Sequence, residues 1–274
     1  MALRLHTPGR LNRFGKKITP YFGRIASNPR TTAFLELTSA YLNCIIGKGG
    51  GSGWDPTEEQ PAARMIRREN PVILDIGANR GRWTRELRHL IGERGRWILI
   101  DAASECCEWL RKLDNVEVIE AAVGERKGKT HFYTPGDGFG AASVHKRDDS
   151  YLREQGVVFA EREVDVVTID DILGERGIET VDMVKMDIEG NELSALRGAE
   201  QSLKKQRIRA LTFEFGCGNI ASRTFFRDYY ELLTGHGYQL HRIYPGGKTV
   251  PVREYYEDLE YFRGVTNYLA TVEK

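Results

Sequence analysis

The sequence predicts an α/β fold: a doubly wound, mostly parallel, seven-stranded sheet behind an N-terminal helical extension. Three observations carry this reading. From Pro71 onward, short apolar runs alternate with amphipathic stretches, the pattern of strand–helix–strand units in a parallel sheet. "VILDIGANRG", Val72 to Gly81, reads as a buried strand that ends in a glycine turn and opens a helix. The chain has 274 residues, 41% hydrophobic and 29% charged, enough for one large core.

The first 60 residues form a basic arm, an amphipathic helix and a glycine-rich linker. Arg4, Arg10, Arg13, Lys16, Lys17, Arg24 and Arg30 precede the first acidic residue, Glu36. The arm therefore carries +7 and, from a total of +1, the remainder carries about −6. Arg, Pro and Gly interrupt every apolar run of the arm, which argues against a secretory signal. "TTAFLELTSAYLNCII" is too short, and too polar at Glu36, for a membrane span. Phe34, Leu37, Tyr41 and Ile45 recur at helical spacing, so a helix packed on the main body is expected. "GKGGGSGWDPTEEQP" then resists regular structure. Cys44, Cys106, Cys107 and Cys217 show no CxxC spacing; reduced thiols in a cytoplasmic protein follow, with no zinc site.

The main domain, 61–274, should contain strands Val72–Ala78, Trp97–Ala102, Val116–Val123, Val181–Asp187, Ala210–Phe215, Gln239–Tyr244 and Tyr268–Val272. One helix between them places Trp83, Leu87 and Leu90 on a single face, and another places Leu193, Leu196, Ala199 and Leu203. From about 126 to 180 the rhythm breaks. "THFYT", "TPGDGFGAASVHK" and "EVDVVTI" read as an insertion over the strand ends.

In such sheets ligands bind at the carboxyl ends of the strands, so the turn after the first strand is the first candidate. Asp75 to Gly81 reads D-x-G-x-x-x-G rather than the G-x-G-x-x-G of dinucleotide sites. Asn79 and Arg80 stand where that fingerprint wants small residues, while Gly77 and Gly81 admit close backbone approach. Asp75 is placed to meet a cation, and Asp101, ending "WILID", to accept from ribose hydroxyls. A ligand with a ribose, a positive charge and no phosphate fits, and S-adenosylmethionine is one. In "VDMVKMDIEGNELSALRGAE", Asp187 ends a strand, and Glu189, Gly190 and Glu192 open the next helix.

Through "DIGANRG", "EAAVGERKG", "VVTIDDI", "VKMDIEGNELSALRGAE" and "LTFEFG", the chain resembles the FkbM family of S-adenosylmethionine-dependent methyltransferases. The resemblance implies a Rossmann-like class I methyltransferase fold. It also implies O-methylation of a hydroxyl on a small molecule such as a sugar, glycoside or glycolipid. On it the cofactor residues are Asp75, Gly77, Asn79, Gly81, Asp101 and Ala122. The ribose position departs from the Glu-Pro of many members, since this chain has "IDAAS".

Methyl transfer to an alcohol needs a group that takes the hydroxyl proton, or a metal that acidifies it. Asp187, Glu189, Glu214 of "LTFEFG" and His145 of "SVHK" are the catalytic candidates, with Ser143 and Lys146 as possible contacts to the acceptor. Asp187 and Glu214 leave magnesium open. Tyr229, Tyr230, Tyr255 and Tyr256 could line an acceptor cleft, though Phe226, Tyr229 and Leu233 at helical spacing are more simply core. The acidic body argues against a nucleic-acid methyltransferase, because phosphate attraction would fall to the arm alone. A scaffold that binds the cofactor without turnover, peripheral membrane contact through the arm and a homo-oligomer remain open.

Overall fold

The computed structural model of the chain describes residues 19–51, 58–135, 140–148, 154 and 156–272. The basic arm up to Lys17, the linker from 52 to 57 and the glycine-rich 136–139 lie outside the described residues. Two compact units divide at Cys44 and Ile45. In the first, helix α1 (Pro29–Ile45) has the expected helical form and buries none of its 17 residues. Phe34, Leu37, Tyr41 and Ile45 are exposed. Spacing fixes which side chains share a face, not what covers them.

The second unit holds an eight-stranded sheet. Its strands are β1 (Val72–Ile76), β2 (Arg96–Asp101), β3 (Val116–Glu120), β7 (Met183–Met186), β8 (Ala210–Gly216), β9 (Tyr238–Tyr244), β10 (Lys248–Val252) and β11 (Val265–Val272). Across the sheet they lie in the order β10-β9-β11-β8-β7-β1-β2-β3. β3, β2, β1, β7 and β8 run parallel, and β11 is inserted antiparallel between β8 and β9. The seven strands read from the sequence are present. β10 is an added edge strand, hydrogen-bonded to β9 through a turn at Gly246 and Gly247. "KTVPV" shows no apolar alternation, which hides it from a reading of the sequence, and its one obstacle to pairing, Pro251, is tolerated at a sheet edge.

The run expected as one strand from Val116 to Val123 splits. β3 stays in the main sheet, whereas β4 (Ala122–Val123) pairs with β6 (Ala160–Val167), which pairs in turn with β5 (Gly128–Thr134). This small sheet is the segment that broke the rhythm. It places Phe132 against Ala102, Ala103 and Ala122 in a satellite cluster beside the ends of β2 and β3.

Helix α3 (Arg82–Ile91), which follows the shorter α2 (Glu59–Met65), buries Trp83 and Leu87 as expected, while Leu90 stays exposed. The helical run after Asp187 divides into α6 (Glu192–Arg197) and α7 (Glu200–Lys204), with Leu193, Leu196, Ala199 and Leu203 all buried; α4 (Ser104–Leu110) and α5 (Ile169–Glu175) complete the earlier crossovers. Beyond β8 come α8 (Gly218–Ser222) and α9 (Phe226–Gly235). Phe226, Tyr229 and Leu233 face the core from α9, and Phe213 stacks on Tyr229 at 5.1 Å and on Tyr268 at 5.5 Å between ring centroids. These tyrosines are core rather than cleft.

Tyr229 also pins the start of α6, because its buried hydroxyl accepts from the Leu193 N–H at 3.2 Å and from Asn219 Nδ2 at 2.9 Å. Tyr229→Phe strands two buried donors and should cost about 1–3 kcal/mol in urea unfolding. A cost near zero would show that these bonds do not hold the helix start in place.

Candidate active site

The parallel strands β1, β2, β3, β7 and β8 end on one side, and a cavity of ≈ 410 Å³ opens there. Gly77, Asn79, Asp101, Ala122, Asp187, Glu189 and Glu214 all line it. Asp75 and Gly81 lie behind the wall, and His145 lines a neighbouring cavity of ≈ 380 Å³ with Asn191 and Ser194.

The glycine turn is built by crowding. Gly77 has φ +73°, and a Cβ there would stand 1.8 Å from the carbonyl oxygen of Asp187. Only glycine lets β1 and β7 end this close together. The N–H groups of Gly77 and Ala78 both donate to the carbonyl of Ile100, at 2.9 and 3.1 Å, which ties the turn to β2. Asp101 ends that strand. Its two oxygens accept from the Asn79 N–H and the Ala103 N–H, each at 2.8 Å. Burial raises its carboxyl above the usual range, and those two N–H groups pull the other way. The oxygens are thereby fixed in orientation, and each keeps a further lone pair for a ligand hydroxyl.

Asp75 is fully buried. Thr84 Oγ1 donates to its Oδ2 at 2.6 Å, and Lys185 Nζ stands 3.4 Å from its Oδ1. The carboxylate expected to meet a ligand cation directly is instead engaged by a lysine of its own chain. Lys185 is the residue that sequence reasoning missed. Its ammonium donates to the Gly77 carbonyl at 2.9 Å and lies 3.4 Å from Asp187 Oδ2. Burial lowers the pKa of Lys185, but the carboxylates of Asp187 and Asp75 outweigh it and the net shift is upward. The register explains the meeting: Asp75 and Lys185 are paired across β1 and β7. A lysine two residues before Asp187, in phase with it on a buried strand, was the available signal.

The turn after β7 is held from several sides. Glu189 adopts the left-handed conformation, φ 55°. The buried Arg147 pairs with its carboxylate, and Ser143 Oγ donates to its carbonyl at 3.0 Å. Glu192 accepts from the Ile188 N–H at 2.9 Å and the Gly190 N–H at 3.0 Å. His145 Nε2 lies 3.2 Å from Asn191 Oδ1, while Asn191 Nδ2 donates to the Val123 carbonyl at 2.8 Å. Since Asn191 Oδ1 must accept, Nε2 carries the proton; burial lowers the histidine's pKa. Arg147 and Glu58 had no signal in the sequence, as both lie in polar stretches without periodicity.

Glu214 is 9% exposed. Burial, and then the charges of Asp187 and Glu58, raise its carboxyl well above the ordinary range. Half-buried Glu58 is pushed up to about 8 by burial, against the attraction of Lys185. Among the described residues, no three His, Cys, Asp or Glu side chains cluster as a metal site, and the cation beside Asp187 is Lys185. Magnesium finds no support here.

A doubly wound sheet with its cavity at the strand ends, a glycine turn and a strand-end carboxylate defines a Rossmann-like nucleotide-cofactor protein. Residues 75–240 match the family model described as the Methyltransferase FkbM domain, and the chain belongs to that methyltransferase family. A curated relative, the 2-O-methyltransferase NoeI of Sinorhizobium fredii, is 29% identical over 155 residues, covering 53% of this chain and 63% of that protein. The match therefore spans less than two thirds of the relative's length. A crystal structure of Methyltransferase FkbM from Methylobacillus flagellatus KT aligns with a TM-score of 0.48 at 18% identity, over 75% of this chain and 44% of that one. A SAM-dependent methyltransferase from Aquifex aeolicus aligns with a TM-score of 0.41 at 17% identity, over 80% and 94%. Membership implies S-adenosylmethionine as methyl donor. The donor set fits it: a fixed carboxylate for ribose hydroxyls, and a turn that no Cβ could enter.

Burial pushes Glu192 from the ordinary 4.5 up to about 7. Below 4.5 the group is protonated in both states; between 4.5 and about 7 the folded state binds more protons, so this stabilising contribution is lost as pH rises. Glu192→Gln removes the dependence. The variant should gain about 3 kcal/mol on wild type across that window in urea unfolding. A difference that does not change with pH would contradict the assignment.

Proposed function

We propose that the chain is an S-adenosylmethionine-dependent O-methyltransferase acting on a hydroxyl of a sugar, glycoside or glycolipid. One observation carries the reading: a single cavity is lined by Asp101 and by Asp187, Glu189 and Glu214. Asp101 suits ribose hydroxyls, with Gly77, Asn79 and Ala122 lining the same cavity.

When bound, the cofactor would supply a sulfonium methyl group for in-line attack by the acceptor oxygen, the O–C bond forming as the C–S bond breaks and the neutral thioether leaves. Asp187, anchored by Lys185, takes the acceptor's proton. Glu214, its carboxyl raised well above the ordinary range by burial, hydrogen-bonds to an acceptor oxygen. Glu189, fixed by Arg147, orients a second hydroxyl. An acceptor wall of three carboxyl groups suits a polyol, whose hydroxyls donate to them. The printed activity of NoeI, 2-O-methyl transfer, supports oxygen as the acceptor atom. His145 is then a support for Asn191 rather than a base.

Two substitutions separate cofactor binding from methyl transfer. Asp101→Ala should weaken S-adenosylhomocysteine binding in calorimetry about 10- to 100-fold, as two ribose hydrogen bonds are lost. Asp187→Asn should leave that affinity within about twofold and lower methyl transfer from labelled cofactor to a glycoside panel by about 10²–10⁴. Wild-type turnover in Asp187→Asn would remove the proposed base.

A further inference from the structure

The cavity beside His145 takes no part in the methyl transfer, and its charge is opposite to that of the first. Among the described residues, the charged side chains that line the first cavity are six carboxyl groups, Asp101, Asp187 and Glu214 among them, against the single cation Arg80. Those that line the second are Arg126 and Lys129 against Glu125. An acidic cavity therefore has a basic neighbour.

The two adjoin. Ala122, Val144 and Asn191 line both, and His145, whose Nε2 lies 3.2 Å from Asn191 Oδ1, stands beside that shared wall. The small sheet builds much of the second cavity: Lys129 and Thr130 come from β5, Val166 from β6, and Glu125 and Arg126 from the turn between β4 and β5. Ser194 of α6 faces them. Its hydroxyl oxygen accepts from the Glu125 N–H at 3.0 Å and keeps its own proton to donate. The two cations are held loosely. Lys129 Nζ lies 2.7 Å from Glu163 and Arg126 lies 3.9 Å from Glu125, but all four side chains are at least 45% exposed, and exposed pairs contribute only about 0–1 kcal/mol. Either cation can turn to an anionic ligand at little cost.

Size points the same way. Sites for ligands as large as S-adenosylmethionine run from about 300 to 1,000 Å³. The first cavity, at ≈ 410 Å³, is near the lower bound, so the methyl donor takes most of it and an acceptor must extend beyond it. The second adds ≈ 380 Å³ across Asn191, which follows Glu189 in the same turn.

We propose that the methylated glycoside extends past the shared wall into this second cavity, where Arg126 and Lys129 hold an anionic group of the acceptor, a carboxylate or a phosphate. The proposal rests on the O-methyltransferase reading for the acceptor's other end, whereas binding of the anion is measured without turnover.

The test is calorimetry of the full chain saturated with S-adenosylhomocysteine and titrated with D-glucose, D-glucuronate and D-glucose 6-phosphate. At least one anionic sugar should bind about tenfold or more tightly than glucose, the tighter of the two naming the anion, and the advantage should shrink as salt is raised. Arg126→Gln with Lys129→Gln should abolish that advantage, while S-adenosylhomocysteine affinity and the urea midpoint stay at wild type, which separates lost anion binding from lost folding. Anion affinity no greater than that of glucose overturns the proposal. So does an advantage that survives the double variant, because the anion would then sit elsewhere on the chain. Failure of the O-methyltransferase reading has a different signature: no glycoside takes the labelled methyl group, yet the anion still binds in a manner that depends on Arg126 and Lys129.

Discussion

One buried ammonium organises the catalytic end of the sheet. Lys185 reaches Asp75 from β1, Asp187 beyond β7 and the carbonyl of Gly77 in the turn between them. A charge buried this deeply is tolerated only when paired and hydrogen-bonded. Here the pairing is also an architectural tie. The carbonyl of Gly77 faces the lysine, the same glycine leaves no room for a Cβ beside the carbonyl of Asp187, and the N–H of Asp187 donates to Ile76 at 3.1 Å. The cofactor turn and the proposed base therefore cannot move independently of each other.

Around that tie the charge is unbalanced. Glu58, Asp75, Asp187 and Glu214 all act on Lys185, and Arg82 adds a second cation only toward Glu58. Burial and the neighbouring carboxylates accordingly raise Glu58 and Glu214 above the ordinary carboxyl range. The cavity thus offers two kinds of carboxyl group to an acceptor, Asp187 paired with a buried ammonium and Glu214 raised by burial. The small sheet of β4, β5 and β6 adds the remaining wall by bringing Phe132 beside Ala102 and Ala122, and the loop that follows β5 supplies Ser143 and Arg147 to lock Glu189.

Much of this was legible in the sequence because it depends on local pattern. Apolar runs ending in Asp101, Asp187 and Glu214 placed three carboxylates at one sheet edge, and the glycine turn marked the cofactor end. Strand β10 escaped because "KTVPV" lacks alternation, and the break after Glu120 escaped because "VEVIEAAV" contains no Gly, Pro, Asn or Asp to mark a change of sheet. The role of Asp75 was misread for a different reason. Its partner is far away along the chain, and only the register of β1 against β7 brings Lys185 to it. Helix α1 shows the converse: its periodicity was plain, and its exposure was not, since burial is a property of neighbours.

The most direct test of the Lys185 tie is a double-mutant cycle in urea unfolding, with Lys185→Met, Asp187→Asn and the double variant. Residues in direct electrostatic contact should show a coupling of about 1–3 kcal/mol, so the double variant should be more stable than the sum of the single losses predicts. Additivity within about 0.5 kcal/mol would mean that Lys185 and Asp187 are merely neighbours, and that the turn and the base are held by something else.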